Sequence, residues 1–276
     1  MDKEIGIYTF IGRNSEKYAE FLHWHCEKMK SGQVDIFYKC ILSLGSERTP
    51  EGWRRVDKIT NDLGHNCLNH AAAIHSACKL VTESNVVFID ADTCILYKDW
   101  DLTIIEALKR VDIYGTAFPD NANQYNKFPN VFMFCFRRDV LQKVNLDFNP
   151  LLNIGIESPV KLKIKTTLES KAYNKKIGDT LKCDTGYMLP FIASINNLTY
   201  DYIPASKERL LPYRDDDQYE MCLSKHTHMA EWHIGDKIFI THKQASRNHP
   251  LDGSWGAMWK ERIGFYTQKE FKFIYG

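Results

Sequence analysis

The chain has 276 residues, of which 44% are hydrophobic and 26% are charged. This composition is typical of a globular protein with a substantial core, and it excludes the disordered and fibrous classes. Lys and Arg together number 36 and Asp and Glu number 35, which leaves a formal charge of +1. Since there is no global positive field, the usual driving force for non-specific binding of nucleic acids or anionic membranes is missing. We expect no nucleic-acid partner.

The sequence also predicts a compartment. Its 8 cysteines are scattered along the chain without a C-x-x-C pair, unlike the dense disulfide frameworks of small secreted proteins. The first ten residues, MDKEIGIYTF, pass directly into a strand-like run and do not form a signal-peptide pattern. No apolar stretch approaches the roughly 20 residues that a membrane-spanning helix requires. We therefore expect a cytoplasmic protein without a transmembrane segment.

The first half of the chain alternates between strand and helix patterns. Short β-rich runs predict strands, and apolar residues three and four positions apart predict helices. Four consecutive apolar residues at 86–89 predict a strand that is buried on both faces, as in the middle of a parallel sheet. The predicted order is strand 5–10, helix 15–30, strand 34–42, loop 46–63, helix 65–80 and strand 86–89.

The second half continues this alternation less regularly. Residues 145–182 are ambiguous, because 151–156 and 160–165 fit either strands or a mobile loop, and 206–235 is a polar stretch with clustered charges. We find no internal repeat and no linker, so we predict one α/β domain. The predicted elements are helix 100–111, strand 112–118, strand 130–136, helix 139–144, helix 185–196 and strand 238–241.

Two acidic residues follow the apolar strand at 86–89. Asp90 and Asp92 flank Ala91 directly after this strand, where open α/β sheets bind their ligands. In an extended chain the two carboxylates point to the same side, and two like charges so close together are costly unless a cation shares them. Oxygen ligands favour Mg²⁺ or Mn²⁺ over Zn²⁺. The pair therefore predicts a divalent metal site, the alternative being a loop that happens to hold two acids.

Several motifs around this pair resemble those of GT-A-type nucleotide-sugar glycosyltransferases. The stretch VVFIDADTCILYKDWD at 86–101 is similar to the D-x-D segment of that superfamily and its "D-W" continuation. The preceding helix contains LNHAAA at 68–73, which is similar to the "A-x-N-x-A" form, and the strand at 130–138 ends in F-R-R. The resemblance spans residues 4–250. It implies a GT-A-like (Rossmann-like) α/β fold, with a central, mostly parallel sheet, helices on both faces and the D-x-D at the carboxyl end of an inner strand.

The resemblance also implies a division of the chain and an activity. Residues 1–110 would form mainly the nucleotide-binding half, 111–250 mainly the acceptor-binding half and 251–276 a C-terminal tail. The implied activity is a metal-dependent hexosyl or pentosyl transfer from a UDP- or GDP-sugar to a hydroxyl group of a glycan or similar acceptor, with Mn²⁺ or Mg²⁺ as cofactor. Two alternatives remain: a haloacid-dehalogenase-like phosphatase, whose D-x-D normally lies on its first strand, and a catalytically inactive sugar-nucleotide-binding module.

Individual positions follow from the same resemblance. His242, at the end of the last predicted strand, matches the late histidine that completes the metal shell with Asp90 and Asp92; the alternative is a histidine with an ordinary structural role. Ser246 and Arg247 could then hold the diphosphate oxygens through charge-assisted hydrogen bonds. The full set of donor-binding candidates is Thr9, Phe10, Arg13, Asn69, Asp90, Ala91, Asp92, Ser246 and Arg247.

The implied catalytic residue is Asp184, which precedes a predicted helix after the F-R-R strand. An inverting transferase needs a carboxylate that takes the proton of the acceptor hydroxyl as its oxygen attacks the anomeric carbon. The alternative is that Asp184 caps the helix, and Asp179 is the second candidate for the base. The chain departs from the family pattern in its long interval between Arg138 and Asp184, and its second strand lacks the acid that in the family often contacts the base or ribose.

Overall fold

The computed structural model of the chain describes residues 3–64, 66–117, 127–153, 175–177, 180–182, 185–205, 229–243, 251, 259–260 and 263. Across this part of the chain, no helix is both long enough and apolar enough to cross a membrane.

A seven-stranded sheet organises the described residues. Its order is β11-β6-β7-β4-β1-β2-β3, and every neighbouring pair is parallel except the two that involve β7. The predicted mostly parallel sheet is therefore confirmed. Its strands are β1 (Glu4–Ile11), β2 (Asp35–Leu42), β3 (Arg54–Lys58), β4 (Asn85–Asp90), β6 (Ile113–Ala117), β7 (Pro129–Arg137) and β11 (Tyr200–Ile203).

Helices cover both faces of this sheet, as the resemblance implied. Alternate residues of β1 and β4 enter two different apolar clusters, because side chains of a strand alternate between faces. One cluster includes helices α1 and α3, and the other includes α2, α4 and α5. In α3, Trp100, Ile104 and Leu108 recur every four residues and form the buried stripe. The helices are α1 (Glu16–Met29), α2 (Asn66–Leu80), α3 (Trp100–Arg110), α4 (Asp139–Lys143) and α5 (Leu189–Ile195).

Two smaller sheets complete the described fold. One, of order β12-β13-β5, is antiparallel, and its register places His242 opposite Thr93. It therefore carries the end of the last strand to the residue that follows the D-x-D. The other has the order β8-β10-β9. The strands are β5 (Thr93–Ile95), β12 (Met229–Ile234), β13 (Lys237–Lys243), β8 (Leu151–Asn153), β9 (Lys175–Ile177) and β10 (Thr180–Lys182).

Several sequence-based boundaries were wrong. The predicted loop 46–63 contains strand β3, and the polar stretch 206–235 contains β12. The first helical turn predicted at 185 forms turns instead, and α5 begins at Leu189. Strand β3 lies at the sheet edge and exposes Arg54 and Arg55, so it lacks the apolar pattern that identifies buried strands. The possible strand 160–165 lies outside the described residues.

Candidate metal and nucleotide site

The two acids lie at the carboxyl end of β4, an inner strand between β1 and β7. Asp90 ends the strand, and Asp92 follows in a tight turn that is fixed by two hydrogen bonds. The Thr93 hydroxyl donates to the Asp90 carbonyl at 2.7 Å, and the Lys243 backbone N–H donates to the Asp92 carbonyl at 2.8 Å. The second bond ties the turn to the end of β13. These bonds therefore fix the backbone from which both carboxylates project.

His242 completes a three-residue cluster with these acids. Its Nε2 lies 3.1 Å from Asp92 Oδ1 and 3.7 Å from Asp90 Oδ2. One candidate ligand atom from each residue lies within 4.8 Å of the other two. The imidazole is almost fully buried and packs against Phe132 at a centroid distance of 4.1 Å. Its Nδ1 finds no hydrogen-bond partner in the described part of the chain, so its polar contacts there lie on the side of the acids.

This donor set fits a hard divalent cation. Two carboxylates and one imidazole supply oxygen and nitrogen ligands, which suit Mg²⁺ and Mn²⁺. Asp92 and His242 are nearly inaccessible, whereas the Asp90 side chain keeps 18% of its surface exposed. The nearby Lys243 side chain is buried on the other side of β13, against the Tyr18 ring. Burial lowers the pKa of Lys243, and the charge of Asp92 opposes that shift. The cluster thus opens to solvent through Asp90.

A second histidine lies next to Asp90. His70, on α2, places its Nε2 3.3 Å from Asp90 Oδ1. Its ring meets the edge of Phe10 at a centroid distance of 5.2 Å. The two carboxylate oxygens of Asp90 therefore face different partners, His70 on one side and His242 on the other.

The cluster borders a cleft of about 490 Å³, which we name the switch-point cleft. It lies where the sheet order turns, because β2 adjoins β1 on one side and β4 adjoins it on the other. This is where open α/β sheets bind ligands. Its lining comprises Phe10, Gly12, Arg13, Ser15, Ser43, Leu44, Gly45, Asp62, Gly64, Asn66, Asn69, His70, Asp90, Ala91 and Asp92.

The structure places most of the described donor-binding candidates in this cleft. Phe10, Arg13 and Asn69 line it together with the D-x-D residues. The Asn69 side chain is engaged at both ends, because Oδ1 accepts the Leu63 N–H at 2.9 Å and Nδ2 donates to Asp62 at 3.1 Å. Asn69 therefore holds the loop between β3 and α2 against the cleft.

Thr9 does not line the cleft. Strand alternation directs its side chain to the opposite face from Phe10, where it is fully buried and donates to the Ile89 carbonyl at 2.9 Å. The resemblance implied contacts to the nucleoside mostly through backbone atoms and stacking, so the prediction for Thr9 concerns its backbone.

Four predicted residues lie outside the described part of the chain: Ser246, Arg247, Asp184 and Asp179. The neighbour of Asp184 is described. Thr185 is buried and its hydroxyl donates to the Cys67 carbonyl at 3.3 Å, in the first turn of α2. The same turn supplies Asn66 to the switch-point cleft.

Sequence reasoning missed part of the cleft. The turn after β2 contributes Ser43, Leu44 and Gly45, and the loop before α2 contributes Asp62. The signal for His70 was present, because Asn66, Asn69 and His70 are spaced i, i+3, i+4 and share one helix face. Only the packing of α2 on the sheet shows that this face meets Asp90.

Comparisons with known proteins give structural likeness only. No family model matches the chain, and no curated protein matches it. A mannosyltransferase from Pyrobaculum calidifontis, solved in complex with GDP-Man and Mn²⁺, is 15% identical over 54% of this chain and 48% of that chain, with a TM-score of 0.42.

Two structures of S. aureus TarS are also similar. The TarS 1–349 structure is 14% identical over 54% of this chain and 50% of that chain, with a TM-score of 0.39. The other covers 30% of its chain at the same identity and TM-score. The chain therefore spans half or less of the length of these three proteins, and the likeness concerns the arrangement of part of the fold.

Proposed function

We propose that this protein is a metal-dependent glycosyltransferase that moves a hexosyl or pentosyl group from a nucleoside-diphosphate sugar to a hydroxyl group of a glycan or similar acceptor. The observation that carries the proposal is the cluster of Asp90, Asp92 and His242 at the edge of the switch-point cleft. The cleft's volume lies within the range of about 300–1,000 Å³ that is typical of small-molecule sites.

The charges of the cleft support a metal-bound anion as its ligand. Among its described lining residues, Asp62, Asp90 and Asp92 carry carboxylates and Arg13 carries a guanidinium. A diphosphate would be repelled by this acidic lining unless a divalent cation intervened. Asp90, Asp92 and His242 would hold Mn²⁺ or Mg²⁺, and the ion would supply Lewis-acid stabilisation of the charge on the leaving diphosphate.

The remaining cleft residues would bind the donor. Arg13 is exposed at the rim and can approach phosphate oxygens with several N–H donors. Phe10 contributes an aromatic side chain to the lining of the cleft. We assign the nucleoside of UDP or GDP to the side of the cleft formed by the turn after β2, and Ser246 and Arg247 to the diphosphate.

The acceptor would react on the side of α2 where Thr185 is anchored. The acceptor oxygen attacks the anomeric carbon, the bond from that carbon to the diphosphate oxygen breaks, and a carboxylate takes the hydroxyl proton. We propose Asp184 as this base, with Asp179 as the second candidate. The anchoring of Thr185 to Cys67 supports the assignment, because it holds the neighbour of Asp184 beside a turn that lines the cleft.

The cysteine chemistry is consistent with a reducing, cytoplasmic setting, which we include in the proposal. The six cysteines in the described part of the chain are free thiols: Cys26, Cys40, Cys67, Cys78, Cys94 and Cys135. Burial raises the pKa of Cys40 and that of Cys78 to about 12, so these thiols are poorly reactive at neutral pH.

The test combines ligand binding with turnover. Thermal shift with a panel of UDP- and GDP-sugars should show stabilisation that depends on Mn²⁺ and disappears in EDTA. Release of the free nucleoside diphosphate should then identify the active donor. Stabilisation without turnover in the presence of hydroxyl acceptors would favour the inactive binding module. Equal stabilisation with and without the metal would overturn the proposed role of the cluster.

The base is tested separately with Asp184→Asn. Loss of proton acceptance should lower turnover by roughly 10²–10⁴ while donor affinity stays nearly unchanged. A residue that only caps a helix would behave differently, because Asn caps nearly as well as Asp. Near-normal turnover would therefore remove Asp184 from the mechanism, and Asp179→Asn would be the next variant to measure.

A further inference from the structure

We propose that His70 is a positioning residue for the metal site: it holds one oxygen of Asp90 so that the other is presented to the cation. This inference rests on the proposed metal site and adds a residue that the D-x-D and the late histidine do not include. The observation behind it is the contact of 3.3 Å between His70 Nε2 and Asp90 Oδ1.

The two oxygens of Asp90 have separate surroundings. Oδ1 faces His70, and Oδ2 lies 3.7 Å from His242 Nε2, within the three-residue cluster. A carboxylate at the end of a strand can otherwise rotate about its side-chain bonds, and this one is partly exposed. Donation from His70 Nε2 to Oδ1, across the observed 3.3 Å, would select the orientation in which Oδ2 points toward Asp92 and His242. The cation then meets a site whose ligands are already oriented.

The imidazole of His70 is itself held in place. Its ring contacts the edge of Phe10, and Phe10 in turn packs against Phe88 of β4 at a centroid distance of 5.8 Å. The helix that carries it is fixed by neighbours on the same α2 turns, including Ala71 and Ile74, which are buried in the core. His70 therefore reaches Asp90 from a rigid element rather than from a loop.

This arrangement has a measurable consequence for the affinity of the metal. Residues that orient a ligand through a hydrogen bond typically change metal affinity by 10–100-fold when they are removed. We expect His70→Ala to weaken Mn²⁺ binding by this factor in the absence of any nucleotide sugar. At saturating Mn²⁺ the turnover number should recover toward that of the wild type, since the ligands themselves are intact.

The experiment measures Mn²⁺ affinity directly, by the loss of the free-ion EPR signal on titration. The wild type, His70→Ala, His70→Gln and the control His75→Gln are compared. The Gln variant keeps an N–H donor on a side chain of similar reach and should restore part of the affinity. His75 lies on the same helix but lines a separate groove, where its Nε2 accepts the Phe148 N–H at 3.0 Å. Its replacement should leave the affinity for Mn²⁺ unchanged.

The outcomes separate this inference from the proposed function. A wild type that binds Mn²⁺, with His70→Ala binding equally well, overturns the role of His70 and leaves the metal site intact. A wild type that does not bind Mn²⁺, alone or with a nucleotide sugar, overturns the metal site and this inference together. If His70→Ala and His70→Gln lose affinity equally and both melt at much lower temperature than His75→Gln, the effect is one of folding and the positioning role is rejected.

Discussion

The carboxylates at the two ends of strand β4 have different partners. Just before the amino end, Glu83 is paired with Lys39 at 2.5 Å and accepts the Tyr8 hydroxyl at 2.9 Å. At the carboxyl end, Asp90 and Asp92 face each other and two histidines. Both regions are largely buried in the same sheet, so the difference lies in how each charge is matched.

This contrast separates a structural charge from a ligand site. Burial alone would raise the pKa of Glu83, but the hydrogen bonds from Lys39 and Tyr8 hold it below the ordinary value. The network is complete within the protein and calls for no ligand. The two aspartates instead meet imidazole rings at the edge of an open cleft, and a bound cation would supply positive charge between them. Removing one charge at each end of β4, and measuring stability and metal affinity, tests this comparison directly.

The largest stability effect is expected at the amino end. Glu83→Gln leaves the Lys39 ammonium buried without its counter-ion, which typically costs about 3–5 kcal/mol of unfolding free energy. Urea denaturation at neutral pH measures this loss. Because the pKa of Glu83 is lowered in the folded state, its stabilisation is present above the unfolded-state pKa and is lost as the pH falls through the folded-state value. The deficit of the variant should therefore shrink in acid.

A double variant provides the control for this prediction. Replacing Lys39 by Met together with Glu83→Gln removes both charges and should recover a large part of the lost stability. If the double variant is as unstable as the sum of the two single ones, the ion pair is not the source of the effect. The packing of the Glu83 side chain on Gly6 would then be the alternative cause. The two residues are so close that a Cβ added at Gly6 would lie only 2.5 Å from Glu83 Oε2.

The carboxyl end should respond in affinity rather than in stability. Asp92→Asn removes one negative ligand from the cluster, and we expect Mn²⁺ affinity to fall by about 100-fold or more. The unfolding free energy of the metal-free protein should change by less than about 1 kcal/mol, because Asn can still accept a hydrogen bond from His242 and the repulsion between the acids is relieved. EPR titration and urea denaturation of the same sample measure both quantities.

A large loss of stability in metal-free Asp92→Asn would show that the carboxylates at both ends of β4 have a structural role. If Asp92→Asn loses as much stability without metal as Glu83→Gln does, the cluster is a structural network like that of Glu83. Unchanged affinity for Mn²⁺ would remove Asp92 from the metal site.

The sequence predicted the parts of this site that depend on local pattern. Asp90 and Asp92 follow an unmistakably apolar strand, and the resemblance supplied His242. The sequence could not predict that Asp62 lines the cleft or that His70 contacts Asp90. These contacts depend on how the loop before α2 and one face of α2 pack on the sheet. Hydrophobic periodicity identifies which helix face is buried, but it does not identify the polar residue that the face meets.

The fold was predictable to the same extent. Buried strands such as β4 carry their signal in consecutive apolar residues, and their existence was predicted correctly. Edge strands such as β3 and the short β5 lack that signal, because their pairing is specified by distant neighbours. The antiparallel direction of β7 within the sheet likewise depends on the chain connections around it.

The smaller of the two expected losses at ion pairs is at Asp112, a fourth carboxylate that is paired like Glu83 but has a more exposed side chain. Arg137 lies 2.6 Å from Asp112 Oδ1, and the backbone N–H and hydroxyl of Thr199 donate to Oδ2 at 2.9 and 2.8 Å. Burial would raise the pKa of Asp112, but the hydrogen bonds from Thr199 and the charge of Arg137 hold it below its ordinary value. Its stabilisation is therefore complete above the unfolded-state pKa and is lost as the pH falls through the folded-state value.

Asp112→Asn should lower the unfolding free energy at neutral pH by about 1–2 kcal/mol, less than Glu83→Gln. Asn keeps one acceptor oxygen for Thr199, and Arg137 remains partnered by Asp139 at 3.2 Å and by the carbonyls of Leu108 and Val111, so no buried cation is left alone. Urea denaturation at pH 7 and at pH 3 should show the difference from the wild type decreasing in acid. A loss as large as that of Glu83→Gln, or one independent of pH, would show that the charge of Asp112 is not what stabilises this junction of β6 and β11.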